Sequence, residues 1–189
     1  MRSDALRRRE NILRVARELF AEHGAQIAME SIAEASGVGI GTLYRNFADR
    51  TSLVEEVALG TLKDVQIASQ LAVEGLEADD TGAWDVLLDT LIHQNLGALS
   101  EALGLQLPKK ISPRVLEVQA SAALSLNAAL ELAKNANLVR QDISGIDLIA
   151  TIGAMTRPLS RSFSKSAPGL EERIVQIMRD GLRPQAAQQ

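Results

Sequence analysis

Apolar residues recur along this chain at intervals of three and four, and that spacing commits it to helices. Ile12, Val15, Ala16, Leu19 and Phe20 fall at i, i+3, i+4, i+7 and i+8, one stripe on a helix over 5–22 that Gly24 ends. Leu53, Val54, Val57, Ala58 and Leu62 make a second stripe, on a helix that starts near Asp49 and runs to residue 74. The Asp49 carboxylate can accept bonds from the free N–H groups of its first turn. Trp84, Leu87, Leu88, Leu91, Ile92, Asn95 and Leu99 line a third helix, over 83–103. Further helices fit 114–136, 145–157 with Ser144 as its cap, and 169–182 with Ile174, Ile177, Met178, Gly181 and Leu182 on one face. Between them, 75–82 reads as an acidic loop, 104–113 as a short irregular helix broken by Pro108 and Pro113, 135–142 as a loop, and 158–168 as a Ser-rich connection. The tail from Pro184 to Gln189 is expected to be disordered. Ala and Leu dominate, aromatics are 3%, and few runs alternate with period two, so the fold class is all-α.

Composition narrows the function classes. The 189 residues suit one large domain or two small ones, with 46% hydrophobic residues to fill a core. The absence of cysteine excludes disulfides, thiolate metal sites and a cysteine nucleophile. With only His23 and His93, a zinc site or a triad is hard to assemble, so no metal, cofactor or catalytic set is expected. No apolar run reaches the ~20 residues of a membrane span, and Met1-Arg2-Ser3-Asp4 opens no hydrophobic signal region, so the expected location is cytoplasmic, away from membranes. Net charge is −4, yet residues 1–17 carry six arginines against Asp4 and Glu10. Residues 51–189 carry 12 basic and 17 acidic residues. An acidic body with a basic N-terminal edge can face phosphate and stay soluble, although the same arginines would serve as a solvated helix face.

Residues 32–47, Ile-Ala-Glu-Ala-Ser-Gly-Val-Gly-Ile-Gly-Thr-Leu-Tyr-Arg-Asn-Phe, carry the function. Two short helices, 29–36 and 41–47, meet across Gly37. Ala33 is small enough for a close crossing, and Leu43 and Phe47, at i and i+4, anchor the second helix to the first stripe. Thr42, Tyr44, Arg45 and Asn46 are left outward or sideways, and Gly41 opens the helix without bulk, so that backbone N–H groups can approach a phosphate. This is the pattern of a helix-turn-helix. Spacing alone fits an ordinary helical hairpin as well.

Ala16-Arg17-Glu18-Leu19-Phe20-Ala21-Glu22-His23-Gly24, then Met29-Glu30-Ser31-Ile32-Ala33, then Gly37 through Phe47, closely resemble the DNA-binding region of the TetR family. Asp49-Arg50-Thr51-Ser52-Leu53 is similar to the start of that family's fourth helix. The likeness covers residues 8–57, with several blocks in order and spacing; beyond it the chain is similar only in helix pattern and in Asp180-Gly181-Leu182-Arg183-Pro184. It implies an N-terminal three-helix DNA-binding unit, residues 1–50, joined to a helical ligand-binding and dimerisation domain, residues 51–189. It also implies a homodimer on operator DNA, usually a repressor, released when a small molecule enters the C-terminal domain.

Carried over by position, Gly41, Thr42, Tyr44, Arg45, Asn46 and Arg50 are the DNA-binding set. The resemblance implies that Gly41 gives its N–H to a phosphate, that Tyr44 meets a phosphate or a thymine methyl, and that Arg50 grips the backbone. Arg45 is the best base reader, because a guanidinium matches guanine O6 and N7. The structural alternatives are packing of Tyr44 against the first helix and an ion pair of Arg50 with Asp49 or Glu55. Ala28 and Ile40 depart from the family, which usually has a Ser or Thr cap and a lysine there. Both departures remove phosphate contacts, so weaker or less salt-dependent binding is expected, and a slope as steep as a typical dimer's would refute it.

In the C-terminal body the resemblance implies a cavity, with Trp84, His93, Asn95 and Asn127 as candidate wall residues for a small, partly apolar effector. A lone histidine on an apolar helix is more often a satisfied core residue, and Gln94, Asn95 and Asn127 can pair in the core as readily as bind a ligand. The resemblance also implies a dimer four-helix bundle from 145–157 and 169–182, with Ile149, Ile152, Met155, Ile174, Ile177 and Met178 at the interface and two recognition helices ~34 Å apart on a palindromic operator. An enzyme using His93, Asp89 and Glu101 for acid–base work is the competing class; no nucleophile motif, phosphate loop or metal spacing supports it.

Overall fold

Stripes of apolar residues, with left-handed residues that stop three of the helices, mark out the computed structural model, which describes residues 2–23, 27–94, 112–156 and 167–184. Among the described residues there are eight helices and no strand: α1 (Arg2–His23), α2 (Met29–Ala35), α3 (Ile40–Asn46), α4 (Arg50–Glu77), α5 (Gly82–His93), α6 (Pro113–Asn135), α7 (Gly145–Met155) and α8 (Leu170–Leu182). Eight of the expected helices are present, seven of them with ends shifted by at most three residues; the one expected over 83–103 closes at His93 with Gln94 as its cap, and the short irregular helix expected within 104–113 falls almost wholly outside the described residues. Gly24, residues 95–111, 158–166 and the tail past Pro184 lie outside the described residues.

The acidic loop expected from Gly75 begins later, because α4 continues to Glu77. Glycine is tolerated inside that last turn for a packing reason: a Cβ on Gly75 would come within 2.5 Å of the Ala83 Cβ at the start of α5. Three helix ends, those of α2, α4 and α6, are closed by one repeated device. Gly37, Asp79 and Asn137 have φ of 68°, 61° and 55°. In each case the following N–H reaches back to a carbonyl five residues earlier, Val38 to Ala33, Asp80 to Gly75 and Leu138 to Ala133, at 2.9–3.0 Å. Two helix starts use side chains: Asp49 Oδ1 accepts the Ser52 N–H at 2.7 Å, and Ser144 and Asp147 form a reciprocal capping box at α7.

By contacts the chain divides into two units, one holding the described residues up to Thr61 with 112–116, the other 62–94 with 117–184. The core of the first joins Ile12, Ala16 and Phe20 of α1 to Ile32 and Ala33 of α2, Leu43 of α3, Phe47, and Leu53, Val54 and Val57 of α4. The core of the second gathers Trp84, Leu87, Leu88 and Leu91 of α5, Leu126, Ala129, Leu130 and Ala133 of α6, Leu148 and Ile152 of α7, and Met178 and Leu182 of α8. No helix is long and apolar enough to cross a membrane among the described residues.

Candidate nucleic-acid interface

The turn between α2 and α3 is held from three sides. Gly37 takes the left-handed conformation that lets the chain reverse. The buried Ser36 hydroxyl donates to the Ile32 carbonyl at 2.6 Å, and Asn11 Nδ2 of α1 donates to the Ser36 carbonyl at 2.9 Å. Gly39 then leaves in extended backbone and accepts the N–H groups of Thr42 and Leu43 at 2.8 and 3.2 Å.

Helical spacing sorts α3 into an anchored and an offered side. Leu43 and Phe47 are 0% and 2% exposed, whereas Tyr44 is 45% exposed and Arg45 lies at the surface. Thr42 is half-buried beside them. Arg45 donates from Nε to the Gly41 carbonyl at 3.1 Å and from Nη2 to Thr42 Oγ1 at 3.0 Å. Asn46 spends its amide on the Thr42 carbonyl at 2.8 Å. The exposed set Tyr44 and Arg45, with Thr42 at its edge, can meet base edges and phosphates from one face.

Arg50 makes contacts within the fold that its position did not suggest. Its guanidinium donates to the Ile27 carbonyl and lies over the Phe20 ring, 5.6 Å from the centroid. It is half-buried, and burial lowers its pKa by penalising the charged form. Arg50 thereby ties α4 to the approach to α2. Ala28, at the start of α2, supplies no side-chain cap, and Ile40 is 39% exposed at the first position of α3.

Spacing gave no sign of the clamp behind this face. Glu56 of α4 pairs with Arg9 of α1 at 2.9 Å and with Arg114 of α6 at 2.6 Å, and Arg9 in turn covers the Phe47 ring at 4.9 Å. Burial alone would push the Glu56 carboxyl up; hydrogen bonds and charge from the two arginines outweigh it and hold the group below its ordinary 4.5. The Arg-rich start of α1 opposite an acidic pair, Glu55-Glu56, was the available signal. Arg7 and Arg8 remain at the surface, while Arg14 pairs with Glu18.

The candidate effector residues are not gathered into one wall. Trp84 is buried in the core, His93 is exposed with Nδ1 2.7 Å from the Asp89 carbonyl, Asn127 is exposed beside Gly145, and Asn95 lies outside the described residues. His93 makes no acid–base pair with Asp89, whose carboxylate bonds Arg179; Glu101 lies outside the described residues. Among the described residues no three metal-ligating side chains converge. A groove of about 290 Å³ instead runs between α4 and α5, lined by Ile67, Ala68, Leu71, Val86 and Leu87 with Asp64 and Thr90. Ile67 and Leu71 fall off the main apolar stripe of α4, which is the sequence signal for it. Of the interface candidates, Ile152 and Met178 are spent in the core, Ile149 and Ile174 are half-buried, and Met155 and Ile177 are exposed. Ile146, 77% exposed, joins the last two as surface apolar residues of α7 and α8.

Residues 12–57 match the profile of bacterial regulatory proteins of the tetR family, and residues 94–184 match the C-terminal domain of SbtR-like transcriptional regulators. An HTH-type transcriptional regulator of Staphylococcus aureus is 46% identical over 54 residues, which span 28% of this chain and 29% of that protein. This match therefore takes in less than a third of the relative's length. Two solved structures match nearly end to end. A TetR transcription regulatory protein from Mycobacterium vanbaalenii is 27% identical with a TM-score of 0.64, covering 96% of this chain and 98% of that one. A TetR transcriptional regulator from Streptomyces coelicolor is 27% identical with a TM-score of 0.63, covering 94% and 99%.

Proposed function

Since the chain belongs to the TetR family of DNA-binding transcriptional regulators, we propose that it is a repressor that occupies a palindromic operator as a homodimer and leaves it when a small, partly apolar effector binds. Its relatives are transcription factors, and it is a regulator rather than an enzyme. One observation carries the reading: α3 buries Leu43 and Phe47 and offers Tyr44 and Arg45 to the outside. A structural hairpin would have no use for an exposed phenol beside an exposed guanidinium on a helix so firmly anchored.

Two further observations support the finer parts. Ile146, Met155 and Ile177 leave apolar surface in water on α7 and α8, the pattern of a face covered by a second copy. A two-fold pairing sets recognition helices ~34 Å apart, one turn of DNA. The α4–α5 groove, apolar apart from Asp64 and Thr90, suits a small and partly apolar molecule.

The test is fluorescence anisotropy of the purified protein on the DNA upstream of its own gene, beside a scrambled duplex. Preference for the upstream DNA, lost in Tyr44→Ala and Arg45→Ala, is the expected result. Equal binding to both duplexes, followed by failure to enrich any sequence from a random library, would overturn it. Light scattering of Ile146→Asp with Ile177→Asp should give a monomer with its helix content kept. An intact dimer would refute that face. In a screen of small molecules for release of the DNA, Leu71→Arg should blunt the response to any active compound; an undiminished response would move the effector away from the groove.

A further inference from the structure

A guanidinium has two edges that can each make a pair of parallel hydrogen bonds: a side edge of Nε and Nη2, and an end edge of Nη1 and Nη2. In Arg45 the side edge is already used. Nε–H donates to the Gly41 carbonyl and Nη2–H to Thr42 Oγ1, at 3.1 and 3.0 Å. The end edge points onward, and its two parallel N–H groups can meet guanine O6 and N7.

We infer that Thr42 is a positioning residue for base reading: its hydroxyl, with the Gly41 carbonyl, sets the Arg45 guanidinium before DNA arrives, so that the end edge selects one guanine in each half-site. The inference rests on the DNA-reading role proposed for α3. A surface arginine otherwise samples many rotamers and gives up that freedom on binding. It can also grip a phosphate as well as a base, and a phosphate contact carries no sequence information. Holding the side edge removes both losses at once. Threonine suits the task because its branched Cβ restricts χ1 and so fixes where the hydroxyl points. Thr42 is itself held: its N–H donates to the Gly39 carbonyl at 2.8 Å, and its own carbonyl accepts the Asn46 amide at 2.8 Å. Asn46 thus braces the residue that braces Arg45.

The experiment is a selection from a randomised duplex library with the full-length protein, Thr42→Val, Thr42→Ser, Arg45→Ala and the Thr42→Val/Arg45→Ala double variant, each checked for helix content. Binding is then titrated on the selected site and on the same site with the guanine replaced. The wild type should enrich a guanine at one symmetric position, and Arg45→Ala should lose it by about tenfold or more. Thr42→Val, equal in shape and lacking the hydroxyl, should reduce preference at that same base several-fold. Thr42→Ser should restore most of the preference. In the Arg45→Ala background Thr42→Val should change nothing. Undiminished preference in Thr42→Val, or an equal loss with and without Arg45, would overturn the inference and leave DNA reading intact. No enriched sequence for the wild type would overturn the reading beneath it as well.

Discussion

In the unit that carries the recognition helix, the large apolar residues left in water are scattered: Leu6 on α1, Ile40 and Tyr44 on α3, Leu116 at the start of α6. In the other unit, Leu124 of α6 apart, they come in sets. Ile67 and Leu71 of α4 face Val86 of α5 across the groove, and Ile146, Met155 and Ile177 mark α7 and α8. The first unit finishes its own core and spends its surface on polar reach. The second keeps part of its apolar surface uncovered, at a cost in water that only further burial recovers.

The contrast can be broken most forcefully at Phe47, which closes the first core. Phe47→Ala should cost about 3–5 kcal/mol and abolish operator binding. Trp84 is the one tryptophan and sits in the second core. Urea unfolding of the variant should therefore show circular dichroism falling before Trp84 fluorescence. Coincident transitions would mean that the two cores melt as one. Gly75→Ala strikes the opposite unit. The added methyl meets the Ala83 Cβ, which cannot swing aside, so overpacking of about 1–3 kcal/mol should outweigh the gain in helix propensity. In that variant the Trp84 transition should move first.

Glu56 sharpens the comparison with a smaller effect. Its carboxyl is held below its ordinary 4.5, so the clamp contributes above that value and is lost as pH falls through the lowered one. Glu56→Gln should remove about 1 kcal/mol at neutral pH. It should also flatten the stability profile in acid, where the two proteins converge. A parallel offset at every pH would rule out the carboxylate as the cause. Smallest of all, Ile40→Lys should leave stability unchanged and steepen the log-affinity against log-salt slope by about one unit for each new phosphate contact. An unchanged slope would show that the first position of α3 stands clear of the backbone.

Much of the first unit was legible because its information is local. The i, i+4 relation of Leu43 and Phe47 fixes which side of α3 faces inward, and Gly37 marks its turn. The inward contacts of Arg50 were not legible because its partners, the Ile27 carbonyl and the Phe20 ring, come near only after the chain has folded back. The Glu56 clamp left only a compositional signal for the same reason: Arg9 and Arg114 lie far off along the chain. On α8, Ile177 and Met178 are neighbours 100° apart on the helix, and periodicity accepts either as the inward residue. The fold buries Met178 and exposes Ile177. Ile152 was read as interface when Leu148 and Met178 enclose it in the core. A helix that is apolar on two sides does not declare which side its own protein will use.

The recognition helix spans only Ile40–Asn46. A helix of two turns does not persist in water, because the cost of nucleating it exceeds what so few bonds return. It exists while Leu43 and Phe47 stay docked, and its opening is a low-lying excursion of the free protein. Operator DNA binds only the docked form and so depletes the open one by mass action. A cellular protease that cuts open chains therefore meets mostly unoccupied copies, and the regulator should live longest where it is working.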